Sequence, residues 1–178
     1  MPNQKIFFVL ALQFTISIAA HAQSRFEQDF DDEEKPWQEI TTQLPAAPKA
    51  ENLVPFYVSA TTTLKFAIDS KSLTIGSDGV MRYVLVSKST SGAENISYEG
   101  IRCESSEVKL YAFGHKDGTW GRSRRDKWEP IVEKTTNRQH AALARDYFCD
   151  NKVIAGSVDE ILDRMRRQRP FTHEFNSN

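Results

Sequence analysis

The sequence predicts an α+β domain: an antiparallel β-sheet meander of six or seven strands followed by two C-terminal helices. Two observations predict the sheet. Apolar and polar residues alternate from Leu53 to about Trp128, and Asp-Gly pairs, which favour tight hairpin turns, interrupt that alternation. The third observation is that the apolar spacing changes from two residues to three or four after Asn137, which is typical of helices.

Four segments show the alternation most clearly, at residues 64–68, 80–86, 96–99 and 108–113. Hairpin turns are predicted at Asp78-Gly79 and Asp117-Gly118 because such turns need positive φ. Gly92 suits another turn, and Gly100 suits a β-bulge.

Two helices are predicted after the sheet. Asn137 is a candidate N-cap, and the apolar residues that follow it share one helical face that ends near Cys149. Ser157 and Glu160 form a capping-box pattern at the start of the second helix. One face of that helix is apolar and consists of Val158, Ile161, Leu162 and Met165.

A basic cluster ends the second helix, where the helix dipole favours cations: Arg164, Arg166, Arg167 and Arg169. Binding of anionic lipid heads or polymer is the alternative interpretation of this cluster.

Composition limits the function classes. The 178 residues suit one domain, and 23 Lys plus Arg against 24 Asp plus Glu give a net charge of −1. That balance argues against a nucleic-acid binder. His115, His140 and His173 lack metal-ligand spacing, and nucleotide-binding motifs are missing from the sequence, so neither a metal nor a cofactor is expected.

The N-terminus predicts export. Lys5 precedes an apolar run from Ile6 to Ala20, and small residues at Ala20 and Ala22 suit a signal peptidase. We expect residues 1–22 to be a signal peptide cleaved after Ala22, which leaves no membrane span and a periplasmic protein. A retained anchor is the alternative, but the run is short for a spanning helix.

The mature chain divides by composition. Residues 23–52 are an acidic, proline-containing arm, in which Trp37, Ile40 and Leu44 could pin the chain to the domain surface. Its acidic run at 31–34 lacks the spaced ligands of a calcium loop. Residues 53–169 form the single α+β domain, and 170–178 form a flexible tail.

Two cysteines remain in the mature chain, Cys103 and Cys149. In an oxidising compartment, two such cysteines favour one disulfide. That bond would join the end of the first helix to the strand before Cys103. Two free buried thiols are the alternative.

The best candidate for a ligand site is the start of the first helix, at Asn137, Arg138, Gln139 and His140. Backbone N–H groups, a guanidinium and an imidazole there could hold an anionic group. In the alternative, Arg138 pairs within the protein and His140 packs on the core face.

A second candidate ligand site is a segment in which basic and aromatic residues are interleaved: Trp120, Arg122, Arg124, Arg125 and Trp128. Such a segment could bind a glycan or an anionic polymer. More often, this pattern is found in an edge strand that charged side chains protect from pairing.

Several motifs, taken in order, resemble the CNP-one-like family of small exported proteins of Gram-negative bacteria. They are Phe30–Trp37, Gly76–Val80, Arg82–Val86, Gly92–Cys103, Asn137–Leu143 and Asp146–Cys149. The resemblance spans about residues 30–168. It implies periplasmic export, and because the family is uncharacterised it implies no catalytic residues.

Three function classes follow. The first is a non-catalytic envelope module that binds an unidentified envelope component or protein partner. The second is an envelope hydrolase or transferase using Glu99, His140 or Asp146, and the third is a binder of small anions or lipid heads. An enzyme should bring a carboxylate and a histidine together in a pocket, whereas a module should expose a flat apolar patch.

Overall fold

A computed structural model describes residues 36–125, 127–132 and 138–171. Several predictions fall outside these residues: the signal peptide at 1–22, the acidic run at 31–34, the N-cap at Asn137 and most of the C-terminal tail. The described helices include none that is long and apolar enough to cross a membrane.

In the described part of the chain, an antiparallel sheet of eight strands forms the centre of the fold, with a main path in the order β1-β2-β4-β5-β6-β7. Two short strands join it at the side, β3 against β4 and β8 against β6. The strands are β1 (Leu53–Phe56), β2 (Lys65–Asp69), β3 (Thr74–Ile75), β4 (Val80–Lys88), β5 (Glu94–Arg102), β6 (Glu107–Gly114), β7 (Trp120–Arg122) and β8 (Glu129–Pro130).

The turns that the glycines predicted are present. Gly79, Gly92 and Gly118 all have positive φ, of 73°, 87° and 83°. They lie in the turns before β4, between β4 and β5, and between β6 and β7. β4 and β5 pair along their full length, which makes them the centre of the sheet.

The bulge lies beside Gly100 rather than at it. Tyr98 is opposite Ala112 while Glu99 is opposite Leu110, so Tyr111 is the extra residue on β6. A Cβ on Gly100 would lie 2.7 Å from Tyr111 Oη. Gly100 therefore makes room for the side chain of the bulged residue on the next strand.

Two helices follow the sheet, as predicted. α1 (Arg138–Leu143) continues directly into a π-helical turn (Ala144–Phe148). A small hairpin of β9 (Cys149–Asp150) and β10 (Val153–Ile154) then leads to α2 (Val158–Arg166). Both hydrogen bonds of the capping box between Ser157 and Glu160 are present at the start of α2.

One face of the sheet, here the helical face, packs against α1, the π-helical turn and α2. The rings of Tyr83 and Phe148 meet edge to face with centroids 5.3 Å apart. Ile161 and Met165 of α2 are fully buried in the same core. Burial of these large side chains supplies most of the energy that holds the helices to the sheet.

The opposite face of the sheet, here the arm face, is covered by the coil of residues 37–48. Val84 and Tyr98 are buried there, with Leu44 and Trp120 packed against them. Every residue of β4 from Val80 to Val86 is therefore buried. A strand covered on both faces loses the polar side of its alternation, which explains the mainly apolar sequence of β4.

The disulfide between Cys103 and Cys149 is present, with Cα atoms 5.5 Å apart. Cys103 directly follows β5, and Cys149 directly follows the π-helical turn. The bond therefore joins the end of the first helical segment to the central strand, as predicted from the sequence.

Candidate functional site

Glu99 is the central acidic residue of the helical face. It lies on β5 opposite Tyr83 of β4 and Leu110 of β6, and it is only 6% exposed. Tyr83 Oη donates to Oε2 at 3.1 Å, and Ser97 Oγ donates to Oε1 at 2.7 Å. Because strand residues two apart share a face, Ser97 reaches the carboxylate from the same strand.

His140 reaches Glu99 from α1. Its Nε2 lies 2.9 Å from Glu99 Oε2, and its side chain is 12% exposed. Within the described residues, the buried Nδ1 of His140 has no hydrogen-bond partner. The structure thus brings together two of the three residues expected of an acid–base site.

The contacts set the protonation of the cluster. Burial raises the pKa of the Glu99 carboxyl, but His140 and the hydrogen bonds to the carboxylate outweigh burial, so its pKa lies below its ordinary value. Burial and the charge of Glu99 together raise the pKa of Tyr83 well above its ordinary value. Glu99 is therefore an ionised acceptor, and the phenol of Tyr83 beside it is neutral.

This arrangement differs from that of a catalytic triad. In a triad the histidine lies between the carboxylate and the nucleophile. Here the carboxylate lies in the middle, and Tyr83, Ser97 and His140 all direct their polar atoms at it. Both oxygens of Glu99 accept hydrogen bonds from side chains of the protein.

A cleft of about 510 Å³ adjoins this cluster. Its walls are the 57–64 loop between β1 and β2, the ends of β4 and β5, and the start of α1. Glu99 and Ser97 contribute to it, and Glu99 also borders a smaller cavity of about 160 Å³ that His140 lines.

Arg138 and Gln139, two of the predicted ligand residues, line the large cleft. Arg138 donates to Thr61 Oγ1 at 2.8 Å. In the part of the chain that the structure describes, no carboxylate lies within 4 Å of its guanidinium. His140 lines the neighbouring cavity instead, and Asn137 lies outside the described residues.

Asp146 makes a separate pair. It accepts from the neighbouring Arg145 at 2.7 Å on the π-helical turn, and it is not among the residues that line the cleft.

The tryptophans of the basic and aromatic segment bind other parts of the protein. Trp120 donates to the Pro45 carbonyl at 2.8 Å, and Trp128 contacts the Trp37 ring edge to face. The segment supplies β7, which lies at the end of the strand order. These contacts match the edge-strand interpretation.

The basic end of α2 is partly structural. Arg164 donates to the backbone carbonyls of Tyr147 and Ala155 at 2.9 and 3.1 Å. Its guanidinium also lies 4.1 Å from the centroid of the Phe171 ring. Arg167 pairs with Asp163 at 2.8 Å.

A second polar cluster, on the arm face, was missed from the sequence. The carboxylate of Glu39 accepts from Lys109 Nζ at 2.8 Å, from Tyr111 Oη at 2.6 Å and from Trp128 Nε1 at 3.3 Å. Arg82 forms a two-pronged pair with Asp78, at 2.6 and 3.0 Å.

One feature of the sequence could have predicted part of this second cluster. Arg82 lies among apolar residues of a buried strand, and a buried charge needs an opposite charge nearby. Its acidic partner Asp78 lies only four residues away, in the turn before β4. Glu39 gave no such signal, because it is one of many acids in the arm.

The side chains that line the cleft suit a ligand rather than a metal ion. No group of three or more His, Cys, Asp or Glu side chains within the described ranges could hold a metal ion. Hydroxyl, amide and guanidinium groups line the cleft together with apolar side chains.

Comparison with known proteins agrees with the resemblance that the motifs carry. A sequence model of the CNP1-like family matches residues 32–166. The chain is also similar to cryptic neisserial protein 1 of Neisseria gonorrhoeae (strain ATCC 700825 / FA 1090), with 29% identity over an alignment of 154 positions; the match covers 75% of each chain. No solved structure matches it. The family match extends over most of the sequence, from within the acidic run to the end of α2, and the chain therefore belongs to the CNP1-like family.

Proposed function

We propose that this protein is a non-catalytic binding module of the periplasm, and that its ligand enters the cleft between the 57–64 loop, the central strands and α1. The observation that carries the proposal is the position of Arg138. Its side chain lines the cleft, and among the described residues its guanidinium donates a hydrogen bond to the neutral hydroxyl of Thr61 and forms no ion pair. A guanidinium in that setting is suited to a two-pronged contact with a carboxylate or phosphate.

The hydrogen bonds that Glu99 accepts favour a binding role of this site over a catalytic one. A general base must reach the proton that it removes, and both oxygens of Glu99 already accept hydrogen bonds from the protein. The carboxylate therefore contributes rigidity to the wall of the cleft.

One observation favours the second candidate, an envelope hydrolase or transferase. Glu99 and His140 meet at 2.9 Å beside two cavities, as expected for an acid–base pair. Asp146 does not join them, because its recorded partner is Arg145. If a hydrolytic activity is found, loss of that activity in His140→Gln with the fold retained would favour this candidate.

Periplasmic location rests on the sequence of residues 1–22. The test is the intact mass of protein purified from cells after native export. We expect a chain that begins at Gln23, and a chain that retains Met1–Ala22 would contradict the proposal.

The binding proposal is tested with citrate and inorganic phosphate as probes. We expect each anion to raise the melting temperature of the mature protein, because a ligand that binds only the folded state stabilises it. Arg138→Gln should abolish the increase and leave the melting temperature without ligand nearly unchanged. Arg167→Gln is the matched control, because it removes the same charge from the residue directly after α2, outside the cleft. If both variants respond alike to the anions, Arg138 does not bind them and the Arg138 site is excluded.

A further inference from the structure

We propose that the ligand of this cleft is a short acidic saccharide, with its carboxylate on Arg138 and its hydroxyls on the serine and threonine side chains around it. This inference rests on the proposed binding function and adds the chemical class of the ligand. It combines three features of the cleft: its hydroxyl groups, its apolar wall and its single guanidinium.

Hydroxyl groups are the commonest polar groups of the cleft. Six of its thirteen lining residues carry one: Ser59, Thr61, Thr62, Thr63, Ser87 and Ser97. A hydroxyl can both donate and accept, as can each hydroxyl of a sugar. Among the described residues, no hydrogen bond is recorded for the side chains of Thr63 and Ser87, so their hydroxyls can pair with a ligand.

The cleft also has an apolar wall. Leu64, Phe66 and Leu85 line it beside the hydroxyl groups. Sugar rings present C–H groups on their faces and hydroxyls at their edges, and burial of those C–H groups against apolar side chains is favourable. A simple anion such as phosphate would leave this wall without a partner.

Charge selects an acidic sugar over a neutral one. Arg138 is the one cationic side chain among the thirteen lining residues, and Glu99 is the one anionic side chain. Because Glu99 is already bonded to Tyr83, Ser97 and His140, Arg138 is the charge that remains to meet a ligand. A neutral sugar would offer this guanidinium only hydroxyl acceptors, whereas a carboxylate offers it a charged, two-pronged acceptor.

The size of the cleft agrees with a short saccharide. Its volume of about 510 Å³ falls within the range of roughly 300–1,000 Å³ that small-molecule sites occupy. The cleft lies at the edge where the 57–64 loop meets the ends of β4 and β5, so a chain of a few sugars can enter from the side.

Three probes test the proposal by calorimetric titration of the mature protein: trigalacturonate, the neutral trisaccharide maltotriose, and citrate. We expect saturable binding of one trigalacturonate per chain, at least tenfold tighter than binding of either other probe. Arg138→Gln should weaken trigalacturonate binding at least tenfold, and Arg167→Gln should change it less than twofold.

The hydroxyl contacts need their own variant. Ser87→Ala removes a cleft hydroxyl with little change in volume, and it should weaken trigalacturonate binding several-fold while citrate binding stays the same. Ser91→Ala is the control, since Ser91 lies in the exposed turn after β4. Unchanged circular dichroism and melting temperature establish that each variant folds.

The outcomes separate the two proposals. If citrate binds through Arg138 as tightly as trigalacturonate, or if Ser87→Ala has no effect, the saccharide assignment is wrong and the binding function stands. Equal binding of maltotriose also overturns the saccharide assignment, because the charge would then play no part. If none of the three probes binds, both proposals fail.

Discussion

His140 Nε2 lies 2.9 Å from Glu99 Oε2, and this contact joins α1 to the central strand of the sheet. Its two residues are 41 positions apart in the chain, and the disulfide from Cys103 to Cys149 makes a second link between the same strand and the same helical segment. The start and the end of this segment are therefore both tied to β5, which fixes one wall of the cleft.

We expect Glu99→Gln to lower the free energy of unfolding by about 1–3 kcal/mol, because it leaves buried polar partners with a weaker acceptor. Urea unfolding at pH 7 measures the change. Glu94→Gln is the matched control, since it makes the same substitution at an exposed position at the start of β5. Equal effects of the two substitutions would show that the Glu99 contacts contribute no stability.

Acid should destabilise the protein partly through Glu99. Its pKa in the folded protein lies below the ordinary value of 4.5, so its contribution is fully present above pH 4.5 and is lost as the pH falls through the lowered folded value. Stability curves from pH 7 to pH 3 should therefore fall less steeply for Glu99→Gln than for the wild type. Asp78, whose pKa is also lowered, contributes equally to both curves. Parallel curves would contradict the prediction.

Removal of the disulfide should cost about 2–5 kcal/mol, because the bond closes a long loop in the unfolded chain. Unfolding of the Cys103→Ala/Cys149→Ala double variant, compared with oxidised wild-type protein, measures this. Alkylation of the folded wild type without reductant should label no cysteine, and two labelled cysteines would overturn the assignment.

Glu39→Gln should loosen the coil that covers the arm face. The glutamate accepts three hydrogen bonds there, from Lys109, Tyr111 and Trp128, so we expect a loss of about 1–3 kcal/mol in stability. Hydrogen exchange should become faster across residues 37–44 and stay unchanged in α2. Glu51→Gln, at an exposed position, is the control and should change neither quantity.

Gly100→Ala should destabilise the sheet by about 1–3 kcal/mol through crowding. The added Cβ would lie 2.7 Å from Tyr111 Oη and 3.0 Å from Val80 Cγ1. In a Tyr111→Phe background the nearest of these atoms is gone, so the same substitution should cost less. A double-mutant cycle measures the difference, and purely additive effects would show that the Tyr111 hydroxyl does not limit the space.

Local patterns were sufficient to predict the class of the fold. The alternation of apolar and polar residues, the Asp-Gly turns and the capping box at Ser157 each depend on residues close together in the chain. The strands, turns and helix start that they predicted are present in the structure. The disulfide was also predictable, because the sequence has two cysteines, which allow one intramolecular pair. The resemblance to the family rested on motifs spread along the chain, and the match over residues 32–166 confirmed it.

Only the tertiary structure decided which side chains meet. The sequence named Glu99 and His140 separately, and the antiparallel register put Tyr83 opposite Glu99 while the packing of α1 brought His140 to it. No local pattern encodes contacts between residues far apart in sequence, because they depend on strand register and helix placement together. For the same reason Glu39, one acid among many in the arm, could not be distinguished until the fold placed it beside Lys109.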